Sequence, residues 1–199
     1  SSATDCLFKS GELVKGITIN YYDIPFLHQE NGQTKKYYDF KKDNLWGIID
    51  EDGRIRIPAQ YQKYLRLVNH LNENSPIRLI AYNKGKCGII NFENKIILPF
   101  EYHRIMKTAL GYIIEVETTE GWQLFNLQSN RIITPFYYEE STSDANYIYL
   151  SKAHFKTPFD PQKEQIILPW EYTMVYNIPG SHNFAVKKDG LFGIVNSEN

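Results

Sequence analysis

The chain's 199 residues leave room for one domain or one array of small units, and with 42% apolar and 15% aromatic residues it is not a disordered polypeptide. Lys and Arg number 22 against 23 Asp and Glu, and a net charge of −1 gives no electrostatic footprint for nucleic acid or an anionic membrane. The 23 Ile against 7 Ala favour strands, because β-branched and aromatic side chains pack well on a pleated surface.

Residues 1–40 form an N-terminal segment outside any clear pattern. The start at "SSATDC", without Met, reads as a processed product. Cys6 there is either a former lipid-anchor site or an ordinary residue, and the reading leans to a periplasmic or envelope location over the cytoplasm. "GITINYYDIPFL" at 16–27 alternates at Ile17, Ile19 and Tyr21 before Pro25, which predicts a degenerate strand. "TKKYYDFKK" at 34–42 interleaves bases with aromatics as single-stranded nucleic-acid binders do, but it is one short stretch on a neutral chain.

From residue 41 the chain repeats itself. Pro58, Pro99, Pro135 and Pro169 each close an apolar run ("RIRIP", "KIILP", "RIITP", "QIILP"), and Tyr61, Tyr102, Tyr138 and Tyr172 each stand three residues later. The prolines are 41, 36 and 34 residues apart, a period that means repeated supersecondary units. Upstream of the first two prolines lie the aligned stretches "DNLWGIIDEDGRI" at 43–55 and "KGKCGIINFENKI" at 84–96. "TEGWQLFNLQSNRI" at 119–132 follows with one extra loop residue, "HFKTPFDPQKEQI" at 154–166 is degenerate, and "KKDGLFGIVNSEN" at 187–199 stops before its Pro. Units therefore fall near 41–70, 77–108, 111–140, 146–178 and 182–199.

Each unit reads as a short β-meander. Two strands meet at a turn such as "KG", a second turn such as "EN" or "EDG" follows, and Pro ends ladder donation in the third strand. Ile55, Ile96, Ile132 and Ile166, three before each Pro, are expected in the core with Trp46, Trp122 and Phe192. Arg56 marks a face that later units would cover. Gly47, Gly88 and Gly193 follow the aromatic position and allow another backbone or a flat ring to approach closely. The recurring Tyr reads as a structural anchor, ring buried and hydroxyl paired, with a binding stripe as the alternative.

"LWGIIDEDGRIRIPAQY" at 45–61 resembles the WG-repeat family, whose units run Trp-Gly-Leu/Ile-Ile-Asp, a Gly-containing turn, an apolar run to Pro, then Tyr. The resemblance spans about residues 41–199 and weakens in the third and fourth units, which lack Gly after the aromatic position. It implies a largely bacterial, β-rich repeat scaffold that binds other molecules, with no common enzymatic activity and no catalytic residues. The expected fold is all-β, an array of about five meander or hairpin units stacked as a twisted open, solenoid-like array. The alternative is a closed propeller-like ring, in which 16–27 pairs with the C-terminal hairpin.

Motifs that carry chemistry are missing from the sequence. There is no HExxH, GxSxG, P-loop or GxGxxG, and the five His show no metal-ligand spacing. Cys6 and Cys87 are too few for a disulfide framework or zinc site, and Cys87 stands where a core aromatic is expected. Glu115, Glu117 and Glu120, and Glu139 with Glu140, read as solvated faces and turns. No apolar run reaches the roughly 18 residues of a membrane span. The expectation is a protein that is not an enzyme, with no cofactor or metal, whose partner is another protein. Its concrete form is an immunity or inhibitor protein that binds a toxin or secreted effector. A carbohydrate- or cell-wall-binding module is the alternative, and the oligomeric state stays open. Partner contacts are expected where the repeat breaks, at 34–42, 69–76 and 142–155. Tyr37, Tyr38, Tyr147, Tyr149, His154 and Phe155 are the candidate residues, since aromatic rings give contact area at low entropic cost.

Overall fold

The computed structural model describes residues 16–19, 26–30, 32–68 and 76–196, with backbone alone at 6–7 and 13–14. The side chain of Cys6, and residues 69–75 of the expected break at 69–76, lie outside the described residues. Among the described residues there is no helix, and the strands form antiparallel sheets, none closed into a barrel. The chain divides into two compact units, Ser1–Ile105 and Met106–Asn199.

In the first unit, β1 (Cys6–Leu7) pairs with β2 (Leu13–Val14). A five-stranded sheet follows, built of β3 (Thr18–Ile19), β4 (Phe26–Glu30), β5 (Gln33–Lys42), β6 (Leu45–Asp50) and β7 (Ile55–Tyr61). "TKKYYDFKK" therefore does not break the architecture: it lies within β5, which pairs with β3, β4 and β6. Of the 16–27 stretch, Ile19 is opposite Phe40 of β5 and Phe26 is opposite Tyr37. The next sheet runs β8 (Arg66–Leu67), β9 (Arg78–Asn83), β10 (Lys86–Asn91) and β11 (Ile96–Tyr102) in chain order. Tyr37, Ile48, Ile57 and Tyr61 from the first sheet share a core with Leu79, Ala81, Ile90 and Phe92 from this one. Arg56 links the two instead of marking a bare face. Its guanidinium lies over the Phe92 ring at 4.5 Å and within 3.5 Å of Glu30 and 3.4 Å of Glu93.

The second unit begins inside β12 (Arg104–Lys107), which heads the sheet completed by β13 (Ile113–Glu117), β14 (Trp122–Asn126) and β15 (Arg131–Ile132). β16 (Glu140–Ser143), β17 (Ile148–Lys152), β18 (Phe155–Asp160) and β19 (Gln165–Ile166) make the next sheet in chain order. The last has three strands, β20 (Met174–Asn177), β21 (Asn183–Lys188) and β22 (Leu191–Asn196).

Local chemistry explains the turns. Asp43–Asn44, Lys84–Gly85, Ala153–His154 and Asp189–Gly190 each join two strands with positive φ at both residues, the geometry that suits the right-handed twist of a tight hairpin. The second turn of each meander is held by one side-chain oxygen. Asp50 Oδ1 accepts from the N–H groups of Asp52 and Arg54 at 3.0 and 2.8 Å, and Asn91 Oδ1 from those of Glu93 and Lys95 at 3.1 and 2.8 Å. Asn126 and Asp160, at the same offset, do this for Gln128 and Gln162.

The core position is Pro−1, not Pro−3. Ile57, Leu98, Thr134 and Leu168 are buried, whereas Ile55 and Ile96 are 54% and 61% exposed and Ile132 and Ile166 are half-buried. A bulge is the cause in the first two repeats. Ile48 is opposite Ile57 and Ile49 is opposite Ile55, so two residues of β7 face one step of β6, and the extra residue turns Ile55 away from the face that Ile57 keeps. The β10–β11 pair has the same shift. Trp46 and Trp122 are half-buried, and Phe192 is 74% exposed. The recurring Tyr is the anchor: Tyr61, Tyr102, Tyr138 and Tyr172 are all buried, with the Tyr61 hydroxyl donating to Asn94 Oδ1 at 2.6 Å and that of Tyr138 to Glu115 Oε1 at 2.8 Å. Cys87 is buried too, its Sγ donating to the Tyr102 carbonyl at 3.3 Å.

Candidate functional site

Two clefts of the second unit collect the candidate residues that remain near the surface. The first surrounds the β17–β18 hairpin. It is a cleft of about 310 Å³ lined by Phe136, Lys152, Ala153, Phe155 and Trp170. Phe136 and Trp170 each follow an exposed repeat proline, Pro135 and Pro169, and their rings meet edge to face at 6.0 Å. Phe155 heads β18 and is half-buried. The exposed His154 beside it lies 5.4 Å from the Phe155 ring. The hairpin turn that presents them has φ of 48° at Ala153 and 60° at His154, with no Gly or Asn to relieve it. Three aromatic faces with one cation, Lys152, can hold an apolar side chain and offer few groups to a polar ligand.

The second cleft, about 320 Å³, is polar. Tyr147, Asn146, Asp160, Gln162, Asn177 and His182 line it, and the Tyr147 ring rests on the buried Phe184 at 5.2 Å. Burial pushes the Tyr147 hydroxyl above its ordinary range, and the carboxylates of Asp160 and Asp144 add to the shift.

The other candidates are drawn inward. Tyr37 is 1% exposed, between the β5–β6 pairing and Phe92, whose ring meets it edge to face at 4.8 Å. It cannot offer its ring to a partner. Tyr38 is half-buried against the cluster of Ile17, Ile19, Phe40 and Ile49. Tyr149 is buried, and its hydroxyl donates to Asp144 Oδ2 at 2.6 Å and accepts from the Asn177 N–H at 3.1 Å. Burial alone would raise the Asp144 carboxyl. The Tyr149 hydroxyl and the N–H groups of Asn146 and Tyr147 outweigh it and hold the carboxyl below its ordinary range. Of the residues named from the sequence, Phe155 lines the first cleft and His154 stands beside it, while Phe136 and Trp170, which also line it, were not named. The signal for those two was the aromatic directly after the repeat proline.

Among the described residues, no three His, Cys, Asp or Glu side chains are grouped to hold a metal ion, and no helix is long and apolar enough to cross a membrane.

A family model described as WG containing repeat matches residues 46–69, the stretch from Trp46 to just past β8. No curated protein sequence matches the chain at a significant level. Among solved structures, a plant albumin from Cicer arietinum showing hemagglutination aligns at 9% identity over 85% of this chain and 90% of that one, with a TM-score of 0.24. A score that low assigns no common fold.

Proposed function

We propose that this protein is a non-catalytic interaction scaffold built of WG-like β repeats, and that a protein partner docks on the Phe136–Phe155–Trp170 cleft. One observation carries this reading: three aromatic rings from two repeats converge on a cleft whose rim turn holds an exposed His154 in a left-handed backbone. Strain at a surface turn persists when the surroundings fix it, and such turns cluster at binding sites. The WG-repeat match at 46–69 supports the repeat scaffold. An immunity or inhibitor protein against a toxin or secreted effector is the concrete version, with an interface of roughly 1,200–2,000 Å² in total. The test is affinity capture from the native lysate with wild type, Phe155→Ala and Trp170→Ala. A stoichiometric protein retained by wild type and lost from both variants, with their spectra and melting unchanged, supports the reading. Retention by both variants overturns the cleft assignment.

The second reading is a carbohydrate- or cell-wall-binding module. The polar cleft favours it, because Tyr147 is flanked there by amide, carboxylate and imidazole groups that can hydrogen-bond sugar hydroxyls. Sedimentation with peptidoglycan or polysaccharide that Tyr147→Ala abolishes and Phe155→Ala leaves intact would decide for it.

A further inference from the structure

One position of the repeat always lies opposite the anchor tyrosine. Trp46 is opposite Tyr61, Cys87 opposite Tyr102, Trp122 opposite Tyr138 and Lys156 opposite Tyr172. In the first three repeats the position is apolar. Cys87 is buried, and Trp46 and Trp122 pack half-buried against the cores on their side of the sheet. The fourth repeat puts an ammonium there. Lys156 is half-buried, and it lines a cleft of about 220 Å³ beside the core of Tyr149, Tyr172 and Val175. The meander itself requires no cation at this place. The bond that ties Lys156 to the anchor runs from its N–H to the Tyr172 carbonyl at 2.7 Å, and any residue but Pro could donate it. An ammonium drawn partly out of water costs free energy that an apolar side chain would not.

The groups around Lys156 suit a ligand that is both anionic and polar. Thr142 and Ser143 bring hydroxyls to the cleft, and Tyr176, 58% exposed, brings an aromatic ring. Asp144 also lines it, but both its oxygens are committed to its own turn. Oδ1 accepts from the N–H groups of Asn146 and Tyr147 at 2.8 Å each, and Oδ2 from the Tyr149 hydroxyl at 2.6 Å. Asn177 lines this cleft and the polar cleft of Tyr147, Asp160 and His182 alike, and its N–H is fixed on the Tyr149 hydroxyl at 3.1 Å. The two clefts differ in charge. One holds the Lys156 ammonium, and the other holds the Asp160 carboxylate, which favours hydroxyl donors and repels an anion.

We infer that the two clefts together bind an acidic oligosaccharide, with a sugar carboxylate on Lys156, that sugar's ring against Tyr176, and the hydroxyls of the adjoining sugar in the Tyr147 cleft. This rests on the carbohydrate-binding reading above and names the class of sugar within it. The Lys156 ammonium supplies a charge-assisted bond that a neutral sugar cannot use, so it sets selectivity. Tyr147 and its polar neighbours meet hydroxyls that acidic and neutral sugars share, so they set affinity for both.

The test is affinity electrophoresis of the 199-residue protein through gels containing alginate, polygalacturonate or hyaluronate, each beside its carboxyl-reduced, neutral form. Retardation by at least one acidic polymer is expected, with a dissociation constant about tenfold or more below that for its reduced form. Lys156→Met should remove that difference and leave binding of the reduced form unchanged, and Lys156→Arg should keep it. Met suits a position that is apolar in three repeats, so circular dichroism and melting should match wild type, and Lys156→Gln serves if Lys156→Met does not fold. Lys152→Met removes the same charge from the other cleft and should change nothing. Equal retardation by acidic and reduced polymers, or a preference that survives Lys156→Met or falls as far with Lys152→Met, overturns the inference. Retardation by reduced polymers alone that Tyr147→Ala abolishes also overturns it and leaves the carbohydrate reading standing. Retardation by no polymer of either kind overturns both.

Discussion

The first and second compact units solve the same contact in opposite ways. In the first, Gly47 and Gly88 leave room for the bulged backbone at Pro58 and Pro99, and β7 and β11 run unbroken for seven residues from Ile to Tyr. In the second, Gln123 and Thr157 stand at those positions. Their side chains reach the carbonyl that the glycines leave room for: Gln123 Nε2 donates to the Thr134 oxygen at 3.0 Å, and the Thr157 hydroxyl donates to the Leu168 oxygen. β15 and β19 shrink to two residues each; just beyond them Ile133 N–H still donates to the Leu124 carbonyl at 2.9 Å and Ile167 N–H to the Pro158 carbonyl at 2.8 Å, and the segments meet again at the Tyr138 and Tyr172 positions. Side-chain hydrogen bonds stand in for part of the ladder. The fold keeps the anchor Tyr and gives up part of the ladder between.

The largest effect expected from this contrast concerns which side of the bulge is core. Leu98→Ala should cost about 2–5 kcal/mol in urea unfolding, because it empties a buried site. Ile96→Ala, two residues away, should stay within about 0.5 kcal/mol of wild type. Equal costs would show that the bulge does not turn the strand as described. Next, Gly88→Ala should destabilise by about 1–3 kcal/mol, since its methyl group meets backbone that cannot rotate away. A wild-type melting curve for that variant would remove steric closure as the reason for Gly in the first unit.

Thr157→Val keeps the shape and deletes the hydroxyl. It leaves the buried Leu168 carbonyl short of a donor, at a cost of about 1–3 kcal/mol. A neutral result would mean the carbonyl finds another partner and the side-chain substitution in the second unit is incidental. The smallest effect lies at the Asp144 turn. Its carboxyl is held below its ordinary value of 3.8, so the folded state binds this proton less readily than the unfolded chain. The stabilisation is complete above that value and is lost as pH falls through the folded pKa. Acid titration of Tyr149→Phe, which removes a donor to this carboxylate, should therefore show a shallower loss of stability below pH 3.8 than wild type. An unchanged acid limb would show that the bond does not set the titration.

Much of the chain's local structure was legible in its letters. Ile-rich composition, turn residues and the Pro-Tyr period specify strands, hairpins and a buried Tyr, because each depends on neighbours within a few residues. The Asp or Asn four places after each Trp-like position, at 50, 91, 126 and 160, was equally readable as a turn-holding oxygen. What only the tertiary structure decided was facing. Alternation predicts a face only inside an unbroken ladder, and the bulge that exposes Ile96 and buries Leu98 is a property of two strands, not of one. The same holds for Tyr37, which reads as a surface break until β4 and β6 close on either side of it. It holds again for Phe192, whose sequence matches a covered position but whose covering strand is absent among the described residues.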